Sequence, residues 1–244
     1  YTGIVDEFAR ELWLIGFSSK EGYLVDVFRV SGGWRHEYTL QGDANRTSLF
    51  ETGLPLKDYG PYLLPEGTVV IEPKAETERG SAGGHYYAYP FVRDVKSAPL
   101  PDGKYELTLI TQEGNRAKMK ITGFVEPGEN EFFLGKAPSM KSTRAMQKDT
   151  ADQVDKFWLP KMVLRREGTD LRSTFVTVME PYVDSLFSKG PRIKEVALLE
   201  PSKSSQGDVA ISITHGKIRD ILLSSTHPDE ELVVEYIVFK GKMG

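Results

Sequence analysis

The sequence predicts an all-β fold: a large antiparallel β-sandwich, supersandwich-like, with little helix. Three observations carry this. Apolar residues recur with the period of two that marks strands, not the 3.6 of helices. Glycine and proline fall between those runs and do not collect in one linker. Roughly a dozen such runs follow one another at the spacing of a sandwich. The chain has 244 residues, a length that suits one large domain or two small ones. A single domain of this size buries roughly 70% of its extended-chain surface.

The elements follow in order. "GYLVDVFRVSGGWRHEYTLQG", residues 22 to 42, reads as a hairpin: a strand, a glycine turn and a second strand. In the first strand Tyr23, Val25, Val27 and Arg29 alternate with Leu24, Asp26, Phe28 and Val30. Both faces are largely apolar, which suits a strand between two layers. "KDYGPYLLPEGT" reads as a Pro/Gly-rich loop carrying Tyr59 and Tyr62, and "GGHYYAYPF" places His85, Tyr87 and Tyr89 on one face of an extended run. "GKYELTLITQEGNRAKMKITGF" is the clearest hairpin, turning at Glu113-Gly114-Asn115, where the residues tolerate positive φ. Residues 137 to 160 read as a polar excursion with at most a helical turn or two, and a division of the single 1–244 domain is placed, if anywhere, near 136–158. "STFVTVMEPY", "IKEVALLEP" and "ELVVEYIVFKG" are β runs, and "GDVAISITHGKIRDILLSS" is a hairpin turning at His215-Gly216. The first two β runs close on Glu-Pro, because proline removes a ladder donor. Glu180 and Glu200 are therefore expected in surface turns, and no glycosidase acid/base pair can be argued from them.

Composition narrows the function classes. The net charge is −4 and the pI about 5.7, which argues against nucleic acid as a partner, since that needs a basic face. No apolar run of about 20 residues exists, so no membrane span is expected. No signal peptide is visible. The chain opens on Tyr1, not Met, as a processed protein, a truncated form or one piece of a longer chain would. The absence of cysteine removes disulfides, thiolate metal sites and thiol catalysis. His36, His85, His215 and His227 form no HxH or HExxH pair. There is no Walker loop, dinucleotide fingerprint or GxSxG elbow, and no cofactor is expected. Asp149, Asp152 and Asp155 recur every third residue without completing a calcium loop.

The densest set of ligand-type side chains is Trp34, Arg35, His36, Glu37 and Tyr38. These groups can hold a polar, ring-shaped ligand. His36 has two readings: a group that binds a hydroxyl or carboxylate or moves a proton, or a strand residue bonded to a neighbour such as Glu37 or Asp26. Arg29 likewise can fork onto a uronate or sulfate, or pair internally with Asp26 or Glu37.

Several ordered segments resemble the β-sandwich region of the heparinase II/III-like polysaccharide lyases. They are "FARELWLIG", "YLVDVFRVSGGWRHEYTLQG", "GKAPSMKSTR", "WLPKMVLRREG" and "STFVTVMEPY", spanning about residues 7 to 182, with "VDVFRVSGG" and "STFVTVMEPY" the most specific. Family members often carry a second histidine before the glycine that closes the first motif, where this chain has Gln41. The resemblance implies a sandwich that follows an N-terminal α/α toroid, in an enzyme that cuts uronic-acid polysaccharides by β-elimination. A base removes the proton beside the uronate carboxylate, and a second group neutralises that carboxylate. In the family the base is a tyrosine or histidine supplied largely by the toroid. The "HGHxD"-like and "AHN"-like strands of the early sandwich are not in this sequence. No catalytic or metal-binding residue is therefore expected here, and Trp34, Arg35, His36 and Tyr38 are the expected substrate contacts. The implied partners are an acidic polysaccharide and the toroid, and the implied location is periplasmic or secreted. A carbohydrate-binding module and a purely structural sandwich are the alternatives. An exposed apolar patch on one sheet face would favour docking.

Overall fold

The computed structural model describes residues 5–44, 46–65, 89–114, 116–139, 157–184, 190–227, 229–235 and 237–240. Among them are sixteen strands, numbered in chain order, and one short 3-10 turn at Tyr89–Phe91. A six-stranded sheet runs in the order β1 (Glu7–Gly16), β2 (Gly22–Ser31), β11 (Arg172–Tyr182), β8 (Lys118–Phe124), β7 (Lys104–Thr111) and β4 (Ser48–Glu51). A five-stranded sheet runs β3 (Arg35–Gln41), β10 (Trp158–Glu167), β9 (Asn130–Pro138), β6 (Arg93–Pro99) and β5 (Lys57–Tyr62). β12 (Ile193–Leu198), β13 (Val209–His215) and β14 (Ile218–Ser224) form a third sheet, and β15 (Glu231–Val234) pairs with β16 (Ile237–Lys240). Neighbouring strands pair antiparallel throughout, so the predicted all-β sandwich is what the chain forms. No helix among the described residues is long and apolar enough to cross a membrane.

The six-stranded sheet is the middle of three layers. One face packs Tyr105, Leu107, Ile121, Phe175 and Met179 against Tyr38, Phe132, Met162 and Leu164 of the five-stranded sheet. The other packs Tyr23, Val25, Val27, Val176 and Val178 against Val209, Ile211 and Ile213 of the three-stranded sheet. This is why β2 and β11 are apolar on both sides: side chains alternate across a strand, and here each side meets a sheet. The hairpin β15–β16 covers the far side of the three-stranded sheet through Leu232 and Val234 on Ala210. On the middle sheet the Tyr105 ring lies over Gly123, where a Cβ would fall 2.0 Å from Cζ. Glycine in that strand marks a close approach.

Several expectations are corrected. β2 and β3 are not a hairpin: β2 pairs with β1 and β11, while β3 pairs with β10. Gly32 and Gly33, with φ of 89° and 84°, carry the chain from one layer to the next in an arch. Such φ values are open to glycine and costly for other residues. Residues 57 to 62 form β5, an edge strand with a bulge near Tyr59, not a loop. β11 runs through Pro181, and Glu180 is buried, its carboxylate accepting the backbone N–H groups of Arg192 at 2.5 Å and Ile193 at 3.0 Å. Glu200 lies beyond β12 and is exposed, as expected. "ELVVEYIVFKG" holds two strands, with Glu235 at positive φ between them. The hairpins at Gly114 and Gly216 form as read. β9 and β10, on either side of residues 139 to 157, are direct neighbours. Residues 140 to 156, with Asp149, Asp152 and Asp155, and the run His85–Tyr87 lie outside the described residues.

Candidate functional site

Of the four candidate residues, Trp34 precedes β3, and strand alternation in β3 sends the other three two ways. His36 and Tyr38 point into the sandwich, while Arg35 and Glu37 lie on the outer face of the five-stranded sheet. The Tyr38 hydroxyl donates to Asp26 at 2.8 Å, and its ring stacks on Phe175 at 5.6 Å. Asp26 also receives both arms of Arg10, from Nε at 2.9 Å and Nη2 at 2.6 Å. Burial pushes the Tyr38 phenol well above its ordinary range, and the nearby Tyr105 and Asp26 add to the rise.

His36 is buried at the arch. Its Nε2 lies 2.7 Å from the Gly32 carbonyl, which can only accept, so Nε2 carries the proton. Nδ1 then accepts from the Ser173 hydroxyl at 2.9 Å. Ser173 in turn receives Arg166 Nη1 at 3.2 Å. Burial lowers the His36 pKa below its ordinary value, and the Arg166 charge acts in the same direction. The ring thus ties β3, the arch and β11 together, through neither Glu37 nor Asp26.

Arg29 also turns inward, with a partner different from those expected. It lies on the face opposite Asp26 and donates from Nη1 to Glu11 at 2.6 Å, from Nε to the Gly207 carbonyl at 2.7 Å and from Nη2 to Ser224 Oγ at 2.6 Å.

The outward groups assemble a different site. Trp34 is half exposed and stacks on the Arg35 guanidinium at 4.4 Å, and Arg35 Nε donates to Glu167 at 2.6 Å. Two positions along β10, Arg165 is buried. Its guanidinium lies over Phe133 at 4.7 Å and Tyr89 at 5.3 Å, and Nε donates to Glu37 at 2.7 Å. The Tyr89 hydroxyl donates to the same carboxylate. Tyr59 meets Phe133 edge-on at 5.1 Å. Burial raises the Tyr59 phenol, and the Arg165 charge opposes the rise.

Arg35, Tyr59, Glu131, Arg165 and Glu167 line an open cleft of about 690 Å³ beside Pro65. Of the four sequence candidates only Arg35 lines it. Arg165, Glu131 and Glu167 were missed, because their approach depends on the pairing of β3, β10 and β9. A signal was present: two arginines in succession within the strand "MVLRREG" must point to opposite faces.

A second surface lies at the free edge of the middle sheet. Glu11, Trp13 and Ile15 of β1 turn toward the three-stranded sheet. Phe8, Leu12 and Leu14 turn the other way and are 55%, 57% and 83% exposed. The five-stranded sheet ends at β3, and the Phe8 ring meets Phe28 of β2 edge-on at 5.0 Å. Among the described residues β1 pairs only with β2.

No protein-family model matches this chain, and no curated protein matches it significantly. Among the described residues no group of three or more His, Asp or Glu side chains is placed to hold a metal ion.

Proposed function

We propose that this chain is the β-sandwich part of a heparinase II/III-like polysaccharide lyase that cuts uronic-acid glycans by β-elimination. Its role is to seat the catalytic α/α toroid and form a wall of the substrate cleft, not to supply the base. The observation that carries the reading is the row Phe8, Leu12 and Leu14 on β1. Exposed apolar side chains in a row on one sheet face mark an interaction surface, and the edge beside them, which among the described residues pairs with nothing but β2, offers backbone hydrogen bonds to a partner. Arg10 lies in the same row, half exposed, with its charge paired to the buried Asp26.

The two titratable candidates of β3 agree with a non-catalytic role. His36 and Tyr38 are committed to interior hydrogen bonds, and burial opposes formation of the imidazolium and the phenolate. The ordered sequence segments supply the identity of the partner and the reaction, together with a periplasmic or secreted location.

The test is an assay of this chain and of the full-length protein on a panel of uronate polysaccharides, reading absorbance of the unsaturated uronate product. The full-length protein is expected to form product and the chain alone none. A full-length protein carrying Leu12→Asp and Leu14→Asp is expected to lose most of that activity. Product from the chain alone, or full activity in the double variant, overturns the reading.

A further inference from the structure

We propose that the pocket between Lys161 and the 3-10 turn binds a six-membered ring carrying one carboxylate, which pairs with the Lys161 ammonium. Alternation along β10 puts Lys161 on the same face as Val163, the outer face of the five-stranded sheet. With Thr39 of β3 these two side chains form the floor of a pocket of about 330 Å³. Leu63 and Val92 pack on Val163, and Phe91 stands at the rim.

Lys161 is the exception among the cations of this face. Arg165 is held by Glu37, and Arg35 by Glu167. Lys161 is half-buried, yet among the described residues it makes no side-chain hydrogen bond and no ion pair. A charge taken from water without a partner is costly. Burial accordingly lowers the Lys161 pKa, with the Glu37 charge opposing the fall. An anion that pairs with the ammonium offsets that cost. A ligand can reach it: several polar atoms are sealed in the interior without a partner, and Lys161 Nζ is not one of them.

The lining decides the class of ligand. Among the described residues its two charged groups are Lys161 and Glu37. Glu37 is already balanced, since its carboxylate accepts from Arg165 Nε and from the Tyr89 hydroxyl. Lys161 is left to attract a single negative charge. The remaining walls are mostly apolar and aromatic, which suits a ring with apolar faces. The volume lies at the lower end of the ~300–1,000 Å³ typical of small-ligand sites, so the pocket takes one ring and not a chain. Such a ring comes from an aromatic acid or from a uronate, and the apolar walls favour the aromatic acid. The inference does not rest on the lyase reading, which uses neither Lys161 nor this pocket.

The experiment follows backbone amide NMR shifts of the purified chain near neutral pH, titrated with sodium benzoate, sodium glucuronate and neutral benzamide. Benzoate is expected to shift the amides of Thr39, Lys161 and Val163 and to bind about tenfold or more tighter than benzamide. Lys161→Met keeps the apolar stem and is expected to remove that advantage while leaving benzamide binding unchanged. Phe91→Ala, at a position 54% exposed, is expected to weaken both ligands. Raising the pH to about 10 is expected to weaken benzoate several-fold and benzamide not at all, because the half-buried ammonium loses its proton below the ordinary lysine range. Tighter binding of glucuronate than of benzoate supports the proposal and assigns the ring to a uronate. Absence of binding by both acids overturns it, as does benzoate binding no tighter than benzamide or unchanged in Lys161→Met.

Discussion

The Tyr38 hydroxyl, on the five-stranded sheet, donates to the carboxylate of Asp26, on the middle sheet, at 2.8 Å inside the largest core. Asp26 is fully buried, and Arg10 enters from the free edge to balance its charge. Removing the carboxylate strands a tyrosine hydroxyl in the core. Asp26→Ala is expected to destabilise the chain by about 3–5 kcal/mol, and Tyr38→Phe by about 1–2 kcal/mol. Urea unfolding followed by tryptophan fluorescence checks both, and equal small losses would contradict the arrangement.

Arg29 joins the middle sheet to the layer beneath it through Gly207 and Ser224, while Glu11 of the neighbouring β1 accepts from both Arg29 and Ser224. Arg29→Met keeps the apolar stem and strands these partners, with an expected loss of about 3 kcal/mol. The loss is expected to be uneven. Hydrogen exchange of β13 and β14 amides should accelerate more than exchange of β9 and β10, because only the former sit on the side that Arg29 pins.

The His36 ring sets a pH dependence. Its folded-state pKa is held below the ordinary 6.5, first by burial. Between those two values the unfolded chain binds more protons than the folded one, so stability rises with pH in that window. Stability from this group is complete above pH about 6.5 and falls away on acidification until the folded ring itself protonates. His36→Gln is expected to flatten this part of the curve of unfolding free energy against pH. A slope unchanged by the substitution would assign it to other groups.

Gly123 is a packing position, not a turn. A methyl group there would meet the Tyr105 ring at 2.0 Å, and Tyr105 is locked between Phe132 and the Thr177 hydroxyl. Gly123→Ala is expected to cost about 1–3 kcal/mol or more through displacement of that ring. The double variant Gly123→Ala, Tyr105→Leu should recover part of the loss, which thermal melts of the four combinations can show.

The sequence made much of the fold legible. Two-sided apolar character in β2 announced a middle layer, and glycine-punctuated alternation announced the hairpins β7–β8 and β13–β14. The arch at Gly32-Gly33 was misread because a glycine pair between two strands has the same local sequence whether the strands pair or part. Glu180 was placed at the surface because a carboxylate before proline resembles a turn; its partners, the amides of Arg192 and Ile193, lie across a connection whose path local sequence does not encode. The candidate site was legible in part for the same reason. Alternation places Arg35 outside and His36 and Tyr38 inside once the sheet is known, but which face is outside depends on the layers. The cleft itself, with Arg165 opposite Glu131, exists only through strand pairing. The apolar row of β1 reads like any half-buried strand until the neighbouring sheet is seen to stop short of it.

The central claim is that β1 is an interface. The direct measurement is amide hydrogen exchange over Phe8 to Leu14, in this chain alone and in the full-length protein. The account predicts that the amides of β1 facing away from β2 exchange rapidly in the isolated chain and are protected when the remainder of the protein is present. Equal exchange in the two forms would contradict it.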